Sequence, residues 1–354
     1  GLGPTHDDRT IEALARVAGR GLRADPGLEA EIEAVSRGIA SRLRRPYAEF
    51  AEGVRKQASL PEGAHSLGLA GTAPGIVLET DRCLVVVLPG PPPELRRLWL
   101  HALETEPVRR LLARARPPHR RSLRFYGVSE SAVARALAES GGEGEGVEAT
   151  VCARDFEIHV DLVVAQGAEE RAERLAAGLR AHAGEHLFAE DERPVAELVL
   201  SLCRERGWKL ATAESCTGGL VAARLTAIPG SSEVFRGAVV AYDDAIKREQ
   251  LGVPADVLSR HGAVSAETAT AMAAGARERL GAELAVSVTG IAGPGGGTPA
   301  KPVGLVYLHA AGPEGELASE FSVPADRETI RARAAVAALH LLRRLLTQSR
   351  HGSA

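Results

Sequence analysis

Apolar positions recur along this chain at two spacings, one helical and one extended, and their alternation divides it into three stretches. In the first, Ile11, Leu14, Ala15 and Ala18 fall on one face of a helix over 10–18, and residues 28–43 and 47–58 carry the same period. Residues 71–78 read as a loop entering a short strand. Residues 84–88 form an apolar run of strand length, and 89–95 turn from it into a helix with proline at its start. In the second stretch the pattern is strand (122–126), helix (to 138, with Ser129 as cap), glycine-rich loop (140–146), a hairpin of 147–153 and 156–164 about Arg154-Asp155, and a helix over 168–183.

The third stretch opens with a helix from Pro194, whose inner face is Val195, Leu198, Val199, Leu202 and Cys203, stopped by Gly207. A strand ending near Glu214, a turn, and a helix carrying Leu220, Val221 and Leu225 follow. Then come a strand over 237–242, a short helix to about 251, a helix over 266–280 capped by Ser265, and a buried strand over 284–290. A glycine-rich loop over 293–299, strands over 303–310 and 317–323, and a long amphipathic helix from Asp326 to about 346 complete it. Strands alternating with helices predict an α/β protein whose last stretch is a three-layer α/β/α sandwich with a mostly parallel sheet. The expected domains are 1–112, 113–190 and 191–349.

Composition narrows the function. A chain of 354 residues exceeds one ordinary core, in keeping with several domains. The formal net charge of -3 argues against binding nucleic acid through bulk positive charge. No run of 18 apolar residues and no signal peptide is visible, so a cytoplasmic protein with no membrane partner is expected. Cys83, Cys152, Cys203 and Cys216 lack CxxC spacing, which fits free thiols in a reducing compartment. Lys56, Lys209, Lys247 and Lys301 are the only lysines among 43 basic residues, so each surviving amine is a candidate for chemistry that guanidinium cannot supply.

The richest chemistry lies in Thr212-Ala213-Glu214-Ser215-Cys216-Thr217-Gly218-Gly219. A turn feeding a helix offers backbone N–H groups and the positive end of the helix dipole, which suit an oxyanion or a phosphate, and it can expose a nucleophile. The same residues also suit an ordinary N-cap, with glycines that let the helix pack closely. Cys216 rivals Ser215 as nucleophile, or is a small buried filler. Ser215, Tyr242 and Thr289 fall at or just beyond expected strand ends, where open α/β sheets bind ligands. Lys247 lies one helical turn past Tyr242, and a partly buried lysine can act as a base, whereas a solvated helix lysine is the ordinary case. His261, His309 and His340 do not fall in turns beyond a sheet end. The loop from Thr289 to Gly297 can cradle a phosphate or be a plain surface turn, and it lacks the Gly-Lys-Ser/Thr ending of a P-loop. Asp7 and Asp8 read either as paired metal-binding carboxylates or as acids favouring a helix dipole.

The motif Thr-Ala-Glu-Ser-Cys-Thr-Gly-Gly resembles the signature of the CinA C-terminal domain family, which contains nicotinamide-nucleotide amidases. The run from Thr289 to Gly297 and Lys301-Pro302-Val303-Gly304 are similar to the same family. So are Gly-Leu-Gly-Pro-Thr-His-Asp-Asp-Arg-Thr at 1–10, Gly-Thr-Ala-Pro-Gly at 71–75 and Leu-Pro-Gly-Pro-Pro-Pro-Glu-Leu at 88–95.

The resemblance implies a partial molybdopterin-binding-like domain over 1–112, lacking a preceding βαβαβ portion, and a KH-like domain over 113–190. Gly127-Val128-Ser129-Glu130 lacks the second glycine of a nucleic-acid clamp, so this middle unit is expected to be a spacer or assembly domain without a nucleic-acid partner. For 191–349 the resemblance implies a hydrolase that deamidates nicotinamide mononucleotide to nicotinate mononucleotide and ammonia in pyridine nucleotide salvage, acting as a homodimer with no cofactor. Ser215 is the implied nucleophile, with Lys247 and Tyr242 as base and proton relay. Thr217, Gly218, Gly219, Thr289, Gly290, Gly293 and Arg327 are the implied substrate contacts. Asp244 departs from the family's Tyr-Ser-Asn-x-x-Lys pattern, where Asn is usual, and introduces an ion-pair partner for Lys247. The alternatives are an ADP-ribose pyrophosphatase in the N-terminal domain, with a divalent metal at Asp7 and Asp8, or a non-catalytic competence-related protein.

Overall fold

The computed structural model describes residues 1–115 and 118–348. The chain separates into two compact units, Gly1–Pro117 and Pro118–Ala354. Residues 116–117, within the expected second domain, and residue 349, the expected end of the third, lie outside the described residues.

The first unit runs α1 (Thr10–Val17), β1 (Leu22–Ala24), α2 (Pro26–Leu43), α3 (Ala48–Gln57), β2 (Ser59–Pro61), β3 (Ala64–Leu69), β4 (Pro74–Glu79), β5 (Leu84–Val87), α4 (Pro92–Glu104) and α5 (Glu106–Arg114). Asp25 caps α2 by accepting from the Leu28 N–H at 3.0 Å, and proline opens α2 and α4. All strand pairs of this unit are antiparallel: β1 with β2, and β4 between β3 and β5. β4 sits in the middle and is buried on both faces, whereas β5, from the apolar run over 84–88, is only half-buried at the sheet edge.

The second unit begins with β6 (His119–Phe125), α6 (Glu130–Glu139), β7 (Val147–Arg154), β8 (Glu157–Val164), α7 (Glu169–Ala183) and β9 (Leu187–Ala189). These form an antiparallel sheet in the order β7-β8-β6-β9, and α6 and α7 cover it with Val133, Leu137, Leu175 and Leu179. Ser129 caps α6 as expected.

The unit continues with α8 (Val195–Arg206), β10 (Leu210–Glu214), α9 (Leu220–Thr226), β11 (Phe235–Val240), α10 (Asp244–Leu251), α11 (Ala255–His261), α12 (Ala266–Leu280), β12 (Leu284–Gly290), β13 (Leu305–Gly312), β14 (Gly315–Ser322) and α13 (Arg327–Gln348). The sheet order is β11-β10-β12-β13-β14. β10 pairs parallel with β11 and β12, while β12–β13 and β13–β14 pair antiparallel, so β13 alone runs against the other four strands.

Alternation along the central strands feeds two cores. Leu210, Leu284, Val286 and Val288 face α8, α9 and α13, whose Val199, Leu225, Ala338 and Leu342 complete that layer. Ala211, Ala213 and Ala285 face the other side, against Leu251, Met272 and Ala276. The small residues there match a close helix approach: a Cβ on Gly275 of α12 would stand 1.8 Å from the Leu251 carbonyl oxygen. A three-layer sandwich follows, with the carboxyl ends of β11, β10 and β12 at one edge.

The four-stranded sheet does more than space the chain. Its β7–β8 turn places Asp155 against Arg224 of α9, at 3.0 and 3.1 Å, and Glu157, the first residue of β8, meets His340 of α13 at 2.8 Å. The His340 ring stacks on Tyr126 at 3.7 Å and meets Phe188 edge-on. Its Nδ1 is buried without a partner, so a single proton on Nε2, donated to Glu157, best satisfies the ring. Burial pulls the His340 imidazole down to about 2, while burial pushes the Glu157 carboxyl up.

The two groups oppose each other in their effect on stability. Below its ordinary value the unfolded histidine takes up a proton that the folded one refuses, so its contribution is present above about pH 6.5 and lost as pH falls. The Glu157 shift returns part of that loss, because the folded carboxyl holds its proton to higher pH than the unfolded one. Lowering pH from about 7 to about 5 should cost the native chain up to about 2 kcal/mol through His340. Thermal melts should therefore fall more steeply with acid than those of His340→Gln, whose amide still donates to Glu157 and does not titrate. Equal pH dependence of the two would remove His340 as the source.

Candidate active site

The parallel register brings three chain segments to one edge. Glu214 at the end of β10 pairs with Val240 of β11 and Val288 of β12, so the next residues, Ser215, Ala241 and Thr289, lie at one level, with Tyr242 just beyond. The Ser215 N–H donates to the Val288 carbonyl at 2.8 Å, and the Ala241 N–H to the Glu214 carbonyl at 2.8 Å. The turn closes with the Gly218 N–H donating to the Ser215 carbonyl at 3.1 Å. Gly218 and Gly219 have φ of 60° and 96°, a region that favours glycine, which is why the motif carries them before α9.

Ser215 is 9% exposed, and its hydroxyl makes no hydrogen bond among the described residues. Cys216 is buried as part of the core that also holds Val221 and Val288, and burial pushes its thiol up to about 12. A neutral thiol in an apolar core is a poor nucleophile, so the geometry separates the two neighbours in favour of Ser215. Thr217 is fully buried with its hydroxyl unpaired.

The backbone N–H groups expected to be open to an anion are engaged. Glu214, itself fully buried, turns its carboxylate onto the start of α9, accepting from Gly219 N at 2.9 Å, Val221 N at 3.1 Å and Ala222 N at 2.9 Å. From the opposite side, Arg331 of α13 donates to the carbonyls of Cys216 at 3.1 Å and Thr217 at 2.9 Å. Glu214 and Arg331 were not singled out in the sequence. The available signals were a carboxylate closing a buried strand ahead of a helix, and a second arginine one turn beyond Arg327.

Arg327 lies where the glycine loop meets Tyr242. One guanidinium nitrogen donates to the Gly293 carbonyl at 2.7 Å and the other to the Tyr242 hydroxyl at 2.5 Å. Asp326 instead caps α13 through Thr329. The Tyr242 ring is well exposed.

Lys247 is 1% exposed, with Nζ 3.2 Å from Asp244 and 3.4 Å from the Tyr242 carbonyl oxygen. It is therefore not a solvated helix lysine. Among the described residues no hydrogen bond joins Lys247 to Ser215, nor the Tyr242 hydroxyl to either, so the expected proton relay is not assembled in this arrangement.

Other expected contacts have structural occupations. The Thr289 hydroxyl donates to the Ala263 carbonyl at 2.6 Å, and Thr289 is fully buried. A Cβ on Gly290 would come within 2.8 Å of the Leu305 carbonyl oxygen, so glycine there serves the packing of β12 on β13. Lys301 clasps the carbonyls of His261 and Val264, both at 2.6 Å.

In the first unit, Asp7 and Asp8 precede α1 rather than lying in its first turn. The Asp8 carboxylate accepts from Thr5 N and Oγ1 at 3.2 and 2.6 Å, and hydrogen bonding to the Thr5 side chain is the first cause that holds each of the two carboxyls below the usual range. Among the described residues no group of three or more His, Cys, Asp or Glu side chains is placed to hold a metal ion. No helix among them is long and apolar enough to cross a membrane.

Comparison with known proteins gives a consistent set of likenesses. Residues 192–346 match the family model described as "CinA C-terminal domain", and residues 1–108 match "Probable molybdopterin binding domain". The CinA-like protein of Mycolicibacterium gilvum is 43% identical over 352 residues, covering 98% of this chain and 83% of its own. The CinA-like protein of Mycolicibacterium paratuberculosis is 42% identical over 365 residues, covering 99% of this chain and 83% of its own. Among solved structures, competence/damage inducible protein CihA from Agrobacterium tumefaciens is 42% identical, covers 45% of this chain and 99% of its own, and superposes with a TM-score of 0.42.

Proposed function

Because this chain belongs to the CinA family, we propose that its C-terminal domain is an amide hydrolase that converts nicotinamide mononucleotide to nicotinate mononucleotide and ammonia. The observation that carries the reading is the contrast within one turn. Ser215 stands at the carboxyl edge of the sheet with an uncommitted hydroxyl, while Cys216 beside it is sealed in the core.

In this reading Ser215 Oγ attacks the carboxamide carbon and loses its proton to a base, and the resulting tetrahedral oxyanion collapses with departure of ammonia. Water then cleaves the acyl-serine ester, releasing the carboxylate product and restoring the serine. Lys247 is the proposed base, with Tyr242 orienting the proton path, and Arg327 supplies positive charge on the glycine-loop side of the edge. No residue role in this scheme calls for a metal.

A coupled ammonia assay on the purified chain tests it. Stoichiometric ammonia and nicotinate mononucleotide are expected. Saturable nucleotide binding without ammonia release would leave a binding protein instead.

A further inference from the structure

We propose that Glu214 is a positioning residue for the nucleophile: a buried carboxylate that pins the Ser215 turn to α9 and closes that helix N-terminus to other anions. The functional part of this proposal rests on the amidase reading above, and the pinning itself does not.

Glu214 has its backbone in the sheet and its side chain outside it. Its carbonyl oxygen accepts from Ala241 in the β10–β11 ladder, while its carboxylate reaches past the turn to Gly219, Val221 and Ala222 and also accepts from Thr212 Oγ1 at 3.3 Å. Three amide donors at a helix start, aligned with the positive end of its dipole, make a strong anchor for one negative group in a site closed to water. The segment between the two anchor points is Ser215 to Gly218. Its N–H side is held by Glu214 through Gly219, its C=O side by Arg331 at Cys216 and Thr217, and its start by the Ser215–Val288 bond.

Ser215 is therefore placed entirely by bonds that its own side chain does not make. That leaves its hydroxyl available for chemistry while its Cα is fixed. Glu214 also takes the place that a phosphate or carboxylate ligand would claim at such a helix start. Ligand anions are thereby excluded from the N–H groups of Gly219, Val221 and Ala222.

Glu214→Gln keeps the shape but turns an NH2 group toward backbone donors. Glu214→Ala empties the slot. Each should lower kcat by ~10²-fold, the loss expected from misplacing a reacting group by about 1 Å, with KM changed by less than about threefold. Formate, small enough for the emptied slot, should restore kcat of Glu214→Ala at least tenfold and should restore nothing in Ser215→Ala. Hydrogen exchange read at Gly219, Val221 and Ala222 provides the arm independent of turnover. These amides should be slow in the native chain, fast in both variants, and slowed again by formate in Glu214→Ala.

Native kcat in a folded Glu214→Gln overturns the proposal, as does unchanged exchange at the three amides. If Glu214→Ala does not fold, Glu214→Gln alone decides. If the native chain releases no ammonia, the amidase reading fails on its own, and the exchange arm still decides whether Glu214 pins the turn.

Discussion

Replacing Ser215 with Ala should reduce ammonia release from nicotinamide mononucleotide by on the order of 10⁴-fold or more, since loss of the nucleophile removes the covalent route entirely. The fold should survive almost unchanged. The lost hydroxyl makes no hydrogen bond among the described residues, and the bonds that hold the turn run through backbone groups, Glu214 and Arg331. Stability should stay within about 0.5 kcal/mol of the native chain, as for substitutions that break no packing or polar network. Cys216→Ala should behave in the opposite sense. It removes a sulfur buried in the core, so it should lower the melting temperature and leave kcat largely intact. Native turnover in Ser215→Ala combined with its loss in Cys216→Ala would reverse the assignment.

The hydrophobic pattern made long elements legible because their period repeats over several turns. α2, α12 and α13 lie close to where the spacing of apolar residues and the caps put them. β1, β2 and β9 were invisible for the same reason in reverse: with three residues each they are too short to show any alternation. β3, with the sequence Ala-His-Ser-Leu-Gly-Leu, is longer but breaks its register around Gly68. The mostly parallel sheet was legible as a direction and not as a pairing. The connection 291–304 from β12 to β13 carries no helix, and only Pro313-Glu314 join β13 to β14, so β13 returns against both neighbours and both of its ladders are antiparallel.

At the candidate site the sequence located residues but not their commitments. Ser215, Tyr242 and Thr289 reach one edge because parallel strands end together. Nothing in the spacing reveals that Thr289 is tied to Ala263, or that Arg327 meets the Tyr242 hydroxyl 85 positions away. The N–H groups at the start of α9 looked open because local reasoning counts the donors of a turn. The acceptor that fills them stands one residue before the serine, on the preceding strand. The same limit hid the contact of Asp155 and Glu157 with α9 and α13, which ties the middle sheet to the two helices flanking the site.

The second large effect is expected at Lys247. If its neutral amine takes the Ser215 proton, Lys247→Met, which keeps the length of the buried chain, should lower kcat by at least ~10²-fold, the lower range for removal of a positioned base. Lys247→Arg should fail as badly, because guanidinium stays charged at any useful pH and is bulkier in a slot that is 1% exposed. Asp244 makes the test sharper. Its carboxylate stands 3.2 Å from Nζ, so the amine is engaged in an ion pair within the slot. Asp244→Asn keeps the shape and removes the charge that engages Nζ, so its kcat should exceed the native value. A supply of positive charge to a bound phosphate predicts another outcome. Lys247→Arg would then keep most of kcat and raise KM, and Asp244→Asn would lower KM and leave kcat unchanged. Near-native kcat in Lys247→Arg, with unchanged kcat in Asp244→Asn, would end the role of Lys247 as base. Tyr242 would be next in line, although its hydroxyl already accepts from Arg327 at 2.5 Å. Tyr242→Phe, which removes that hydroxyl, would then be expected to lower kcat by at least ~10²-fold.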